Sequence, residues 1–217
     1  MDSREMIIML DVSTKKHNTI APRLKPRSVA LGQLRTPLTR YQTTPSVPLG
    51  IDNGCFSGSL NRSAWRRIVE EDAKNPGLKF VALPDVVGDA RRTLELYDQF
   101  VGEGFLQGVP RALVIQDGIE GLPIPWDSIS AVFVGGTNRF KDGDVSMAVA
   151  KTAKILGKWV HVGRVNTFAR AKHWMHIADS CDGSCMSRYD HMLAAVVDAL
   201  TLTRPVKKHQ DELFDID

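Results

Sequence analysis

Along this chain, aspartates, amides and glycines recur where short apolar runs end. Asp52 and Asn53 follow "VPLGI", Asp85 follows "FVALP", Gln116 and Asp117 follow "ALVI", and Gly135 and Gly136 follow "AVFV". His161, Gly163 and Arg164 lie in "KWVHVGRV", and Asp179 and Asp182 lie in "ADSCDGS". Carboxylates can serve as general acids, general bases or nucleophiles once their surroundings set their pKa values apart. An amide offers both a donor and an acceptor for orienting a ligand, and glycine lets a ligand approach the backbone closely. Taken singly, each Asp or Asn fits a helix cap or a turn, and Asp89, before "ARRTLELY", is read as a cap only. Repetition at successive run ends is what points to one shared pocket.

Such residues meet only if a scaffold brings many strand ends to one face. The runs "MIIMLDVS", "SVALGQL", "VPLGIDNG", "KFVALPDVVGD", "ALVIQDG", "AVFVGG", "KWVHVGRV" and "HIADSCDG" are mostly continuous apolar stretches. That pattern suits parallel strands covered on both faces. Between the later runs lie segments of helical period, such as "SAWRRIVEEDAK" with Ser63 as its cap. In "DARRTLELYDQFVGEGF", Leu94, Tyr97, Phe100 and Val101 form one stripe. The alternation predicts a single (β/α)8 TIM barrel over residues 1–204, with 205–217 as a flexible tail. "TKKHNTIAPRLKPR" and "RTPLTRYQTTPSVP" are too rich in proline for good crossover helices, so the barrel is expected to be irregular in its first units.

The 217 residues carry a net charge of +3, which permits a polyanionic partner without requiring one. No apolar run is long enough for a membrane span, and "MDSREMIIMLDV" lacks the basic start of a signal peptide, so a cytoplasmic protein is expected. Cys55, Cys181 and Cys185 are an odd number of cysteines, which argues against a secreted disulfide framework. C-x3-C beside His173, His176 and His191 lacks zinc spacing; no metal and no cofactor is expected, and a homo-oligomer is allowed. Trp65, Trp126, Trp159 and Trp174 are read as packing residues.

The order of these elements resembles the tRNA-guanine transglycosylases, barrel enzymes that exchange guanine for a 7-deazaguanine. "IDNGCF", "LVIQDG", "FVGG", "HVGRV" and the Asp-x-x-Asp of "ADSCDGS" carry the resemblance, which runs from about Met6 to Tyr189. That family's zinc subdomain has no counterpart here. The chain therefore looks more like the compact, mostly phage-encoded relatives that modify DNA, and DNA is favoured over tRNA as partner, with a free 7-deazaguanine base (preQ0-type) as the other substrate.

The resemblance implies a pentosyltransferase with Asp182 as the nucleophile on the sugar and Asp52 as acid/base; Asp179, with the same strand-end location, is read either as the backup nucleophile or as a structural hydrogen-bond acceptor. It implies base contacts from Asp85, Gln116 and Asp117 and from the backbone of Gly135 and Gly136. His161, Val162 and Gly163 would form the floor, and Phe56 would stack on the base. Arg139, Lys141, Arg164 and Arg188, with Arg23, Lys25, Arg27, Arg35 and Arg40, would grip phosphates. The rival readings are a small-metabolite barrel enzyme, aldolase- or isomerase-like, and a non-catalytic nucleic-acid binder. The absence of lysine from any strand end counts against a Schiff-base mechanism.

Overall fold

The computed structural model describes residues 6–58 and 60–201, so the tail at 205–217 lies outside the described residues. Eight strands, β1 Ile7–Leu10, β2 Leu31–Arg35, β3 Leu49–Ile51, β4 Leu78–Ala82, β5 Arg111–Ile115, β6 Ala131–Val134, β7 Trp159–Val162 and β8 Ser180–Asp182, pair in chain order into a closed barrel. Every pairing is parallel, and β8 closes on β1 with Met9 opposite Asp182. The helices are α1 Thr14–Leu24, α2 Arg62–Asp72, α3 Ala90–Gly102, α4 Asn138–Lys141, α5 Asp144–Ile155, α6 Phe168–Trp174, α7 Ser184–Arg188 and α8 Asp190–Thr201. This is the (β/α)8 TIM barrel expected from the sequence.

Strand periodicity divides the apolar residues into two layers. Ile8, Leu10, Ile51, Val81, Leu113, Val132, Val160, Val162 and Cys181 face outward and pack with the helices. Met9, Leu34, Phe80, Ala82, Ala112, Val114, Ala131 and Phe133 fill the barrel interior. Large and small side chains share that narrow space. A Cβ on Gly50 would lie 2.4 Å from Phe80 Cζ, so Phe80 occupies room that Gly50 leaves free, and one on Gly32 would lie 2.7 Å from Pro48 O, where β2 and the approach to β3 run close together. Gly50→Ala is expected to cost about 1–3 kcal/mol by overpacking, read as a lower denaturation midpoint with an unchanged slope.

The first units depart from the sequence expectation in one respect. The first crossover is a helix after all. Ser13 caps α1 by accepting from Lys16 N–H, and His17, Ile20 and Leu24 form its buried stripe. Pro22 is accommodated because it falls in the last turn. The second crossover, 36–48, has no helix and is tied by polar bonds instead. The Tyr41 hydroxyl donates to Leu34 O at 2.8 Å, and Thr43 Oγ1 donates to Asp72 Oδ1 at 2.6 Å. Arg35 meets Asp72 at 2.6 Å and Glu71 at 2.9 Å, so it is buried in ion pairs rather than free for phosphates. On α2 the cap is Asn61, which accepts from Ala64 N–H, and not Ser63; Asp89 caps α3 as expected. No helix among the described residues is long and apolar enough to cross a membrane.

Candidate active site

A cavity of about 400 Å³ opens at the C-terminal end of the barrel, the end that carries the working groups in this architecture. Asp52, Asp85, Gln116, Gly135, Gly136, Gly163, Arg164 and Asp182 all reach it, with Met9, Leu34, Val114 and Phe133 as its apolar floor. Strand ends far apart in sequence thus contribute to one chamber, as their repetition suggested.

Asp182 ends β8 and is 7% exposed. Its Oδ1 accepts the Arg164 backbone N–H at 2.9 Å, and its Oδ2 lies 3.1 Å from His161 Nε2. Arg164 holds a left-handed φ of +61°, unusual for a residue with a side chain; that turn aims its N–H at the carboxylate. Its guanidinium sits 3.8 Å over the exposed ring of Phe56, a cation–π contact at the rim.

Asp52, at the end of β3, faces the same chamber. Burial raises its carboxyl to about 7, reinforced by the negative charges of Asp182 and Asp85 and opposed by the Gly54 and Asn53 N–H groups. Asp85 is raised by burial to about 6. Its oxygens are occupied within the protein: Asn53 Nδ2 donates at 2.7 Å and Gln116 Nε2 at 2.5 Å. Gln116 Oε1 in turn accepts Gly88 N–H at 2.9 Å. Asp85 and Gln116 therefore form one braced wall of the chamber. Gly135 and Gly136 lie flush with it. A Cβ on Gly135 would come within 2.8 Å of Gln116 Nε2, and Gly136 has φ +75°.

The group that the strand-end reading passed over is Lys141. The Gly135-Gly136 turn leads into the single turn of α4, which returns Lys141 to the chamber wall although it sits seven residues beyond β6. Several anchors fix this turn. Thr137 Oγ1 accepts Phe140 N–H and donates to Asp117 Oδ1 at 2.6 Å. Ser146 Oγ donates to Phe140 O at 2.6 Å, and Trp174 Nε1 to Lys141 O at 3.1 Å. Arg170 grips Asp142 with Nε at 2.7 Å and Nη2 at 2.6 Å. Lys141 is 2% exposed and enters no ion pair among the described residues. Burial lowers its amine to about 8, helped by the positive charges of Arg164 and Arg170 and opposed by Asp182 and Asp142. A near-neutral amine and a near-neutral carboxyl therefore line one cavity. The only signal for it in sequence is the Gly-Gly-Thr turn followed by a single helical turn, "GGTNRFK".

Other expected site residues fall elsewhere. Val162 points into the outer layer, because it alternates with the inward His161. Asp179 precedes β8, at the opposite end of the barrel, where Lys154 Nζ at 2.6 Å and Val160 N–H at 2.8 Å hold it. It is no backup nucleophile. Asp117 lies outside the cavity, spent on the Thr137 turn. His161 is fully buried beneath Asp182, between the rings of Phe80 and Phe133, and forms no exposed floor. Arg139 is exposed away from the cavity, whereas Arg188 lines it. Lys141 is too buried to grip a polymer's phosphate. The cysteines are free thiols, Cys181 buried and the other two half-buried.

No protein-family model and no curated protein matches the chain. It is similar to a solved structure of a "4-hydroxy-2-oxoglutarate aldolase/2-deydro-3-deoxyphosphogluconate aldolase from TTHB1", at 16% identity and a TM-score of 0.50, over 92% of this chain and 94% of that one. Another similar structure is described as "Native KDPGal structure", at 13% identity and a TM-score of 0.49, over 90% and 91% of the two chains. The transglycosylase resemblance is thus not upheld, and with it fall base exchange, the pentosyltransferase activity, and nucleic acid and free 7-deazaguanine as partners. The motifs that carried it are short strand ends rich in Gly and Asp, which a parallel barrel calls for whatever its chemistry. At these identities the likeness establishes the fold alone.

Proposed function

We propose that the chain is a barrel enzyme acting on a small carbonyl metabolite, with Lys141 as a Schiff-base amine and Asp52 as the proton carrier, in aldol-type cleavage or formation of a carbon–carbon bond. The observation that carries this reading is the Lys141 amine, buried in the cavity wall and lowered to about 8. An unprotonated amine can attack a carbonyl carbon. One proton of the attacking nitrogen passes to the oxygen to give a carbinolamine, and Asp52 in its acid form supplies the second, so that water leaves and a protonated iminium remains. When the neighbouring carbon–carbon bond breaks, its electron pair passes to the iminium and leaves an enamine. A carboxylate takes the hydroxyl proton of the departing aldehyde. Reprotonation of the enamine carbon and hydrolysis return the free amine. One of the barrels similar in fold is described as an aldolase, which agrees with the reading, but the lysine is what the reaction rests on. A cytoplasmic setting, where free thiols stay reduced, belongs to the same reading.

The test is to incubate the protein with pyruvate, add borohydride, and locate the reduced adduct by peptide mass spectrometry. A stable adduct on the Lys141 peptide is expected. An adduct confined to other lysines, or none with pyruvate, glyoxylate and longer 2-oxo acids alike, overturns the reading.

A further inference from the structure

His161 is a fully buried titratable side chain for which the reaction above finds no use. Its ring is clasped between Phe80 and Phe133, with centroids 4.5 and 4.6 Å away. Both of its nitrogens are engaged: Nδ1 lies 2.8 Å from Ser180 Oγ and Nε2 lies 3.1 Å from Asp182 Oδ2. The tautomer follows from the far end of this line. Trp159 Nε1–H, which can only donate, gives its proton to Ser180 Oγ at 2.9 Å. Among the described residues, the Ser180 hydroxyl then has one acceptor for its own proton, His161 Nδ1. Nδ1 accepts, so the ring proton sits on Nε2 and points at Asp182. The opposite tautomer would strand the serine proton and set a nitrogen lone pair against a carboxylate.

We propose that His161 is a positioning residue: locked in one tautomer by the Trp159–Ser180 line, it donates to Asp182 and holds that carboxylate toward the chamber it shares with Asp52 and Lys141. The other charged groups that share the cavity are Asp11, Asp85, Arg164 and Arg188. Of these, Arg164 alone hydrogen-bonds Asp182, through its backbone N–H and to the other oxygen. The His161 bond therefore holds the one oxygen whose donor comes from inside the barrel. Its meaning for catalysis rests on the enzyme reading above, whereas the hydrogen-bond assignment does not.

The experiment is carboxyl-¹³C NMR on protein labelled at the aspartate side chains, with the Asp52 resonance assigned by Asp52→Asn. In the parent protein Asp52 is expected to titrate near 7. In His161→Leu, Asp182 loses the donor that fixes it, and the charge that helps raise Asp52 is no longer held beside it. The Asp52 midpoint is then expected to fall by about one pH unit or more, or to split into two steps. His161→Gln places an amide N–H where Nε2 stood and is expected to restore the parent curve. His161→Asn places its amide near Nδ1 and is expected to behave like leucine. If the leucine variant does not fold, Ser180→Ala, which frees the tautomer, is expected to shift the curve in the same direction by less. Parent curves in His161→Asn and Ser180→Ala, or failure of glutamine to differ from asparagine, overturn the proposal. The titration uses no substrate, so its failure leaves the lysine chemistry standing, and a missing Lys141 adduct leaves the titration result standing.

Discussion

Lys141→Met is expected to lose the borohydride-trapped adduct entirely and to lower turnover by about 10³-fold or more. Methionine keeps the length and apolar body of the side chain, and the bonds that fix α4 run through Thr137, Ser146, Trp174 and Arg170 rather than through the amine. The variant should therefore fold as well as the parent or better, since a poorly compensated buried charge is removed. Lys141→Arg should be equally inactive, because a guanidinium stays protonated and is no nucleophile. The pH dependence follows from the lowered amine. With a value of about 8, roughly a tenth of it is unprotonated at pH 7, against well under roughly one part in a thousand for an ordinary lysine. Adduct formation should rise with pH up to about 8 and then level. A rate still climbing through pH 10 would assign the adduct to a surface lysine.

Asp52→Asn is expected to lower activity by about 10²–10⁴-fold while making the protein more stable at pH 8. The native carboxyl holds its proton up to about 7, whereas in the unfolded chain it ionises near 4. Between those values the folded state binds more protons than the unfolded state, so stability falls as pH rises and then stays flat. A full shift of this size corresponds to roughly 4 kcal/mol. Because the side chain opens onto the cavity, about 2 kcal/mol is expected after allowance for solvent. Asparagine cannot ionise and escapes the loss, and its carbonyl oxygen can still accept from the Gly54 or Asn53 N–H. Denaturant curves for the two proteins should coincide near pH 4 and separate by pH 8. A variant that is equally stable or weaker at pH 8 would mean that Asp52 carries no strained charge.

Much of the chamber was legible in the chain because a parallel barrel converts order along the sequence into position around a ring. Each apolar run ends at the same mouth, so Asp52, Asp85, Gln116, Gly135 and Asp182 could be assigned to one space. The misreadings have local causes. Val162 neighbours His161, and adjacent strand residues face opposite ways, so alternation already argued against placing both in the pocket. Asp179 and Asp182 looked equivalent by spacing, but β8 has only three residues, and the two aspartates fall on opposite ends of it. Lys141 reads in the sequence as a phosphate grip and not as a wall of the chamber for another reason. It stands on neither a strand nor a strand end, and only the one-turn helix α4 brings it back. The first helix was obscured by Pro22, whose place in the last turn cannot be judged without knowing where the helix starts.

The pairing of Met9 with Asp182 has a consequence for assembly. Asp182 belongs to the last strand laid down and Asp52 to the third, so their encounter waits for the ring to be zipped shut. A chain halted one strand short would carry Asp52, Asp85 and Lys141 yet lack the opposing charge and the serine beneath it. Completion of the cylinder and completion of its chemistry are then a single event, and two half-chains cut between β4 and β5 should each be inert until they reunite.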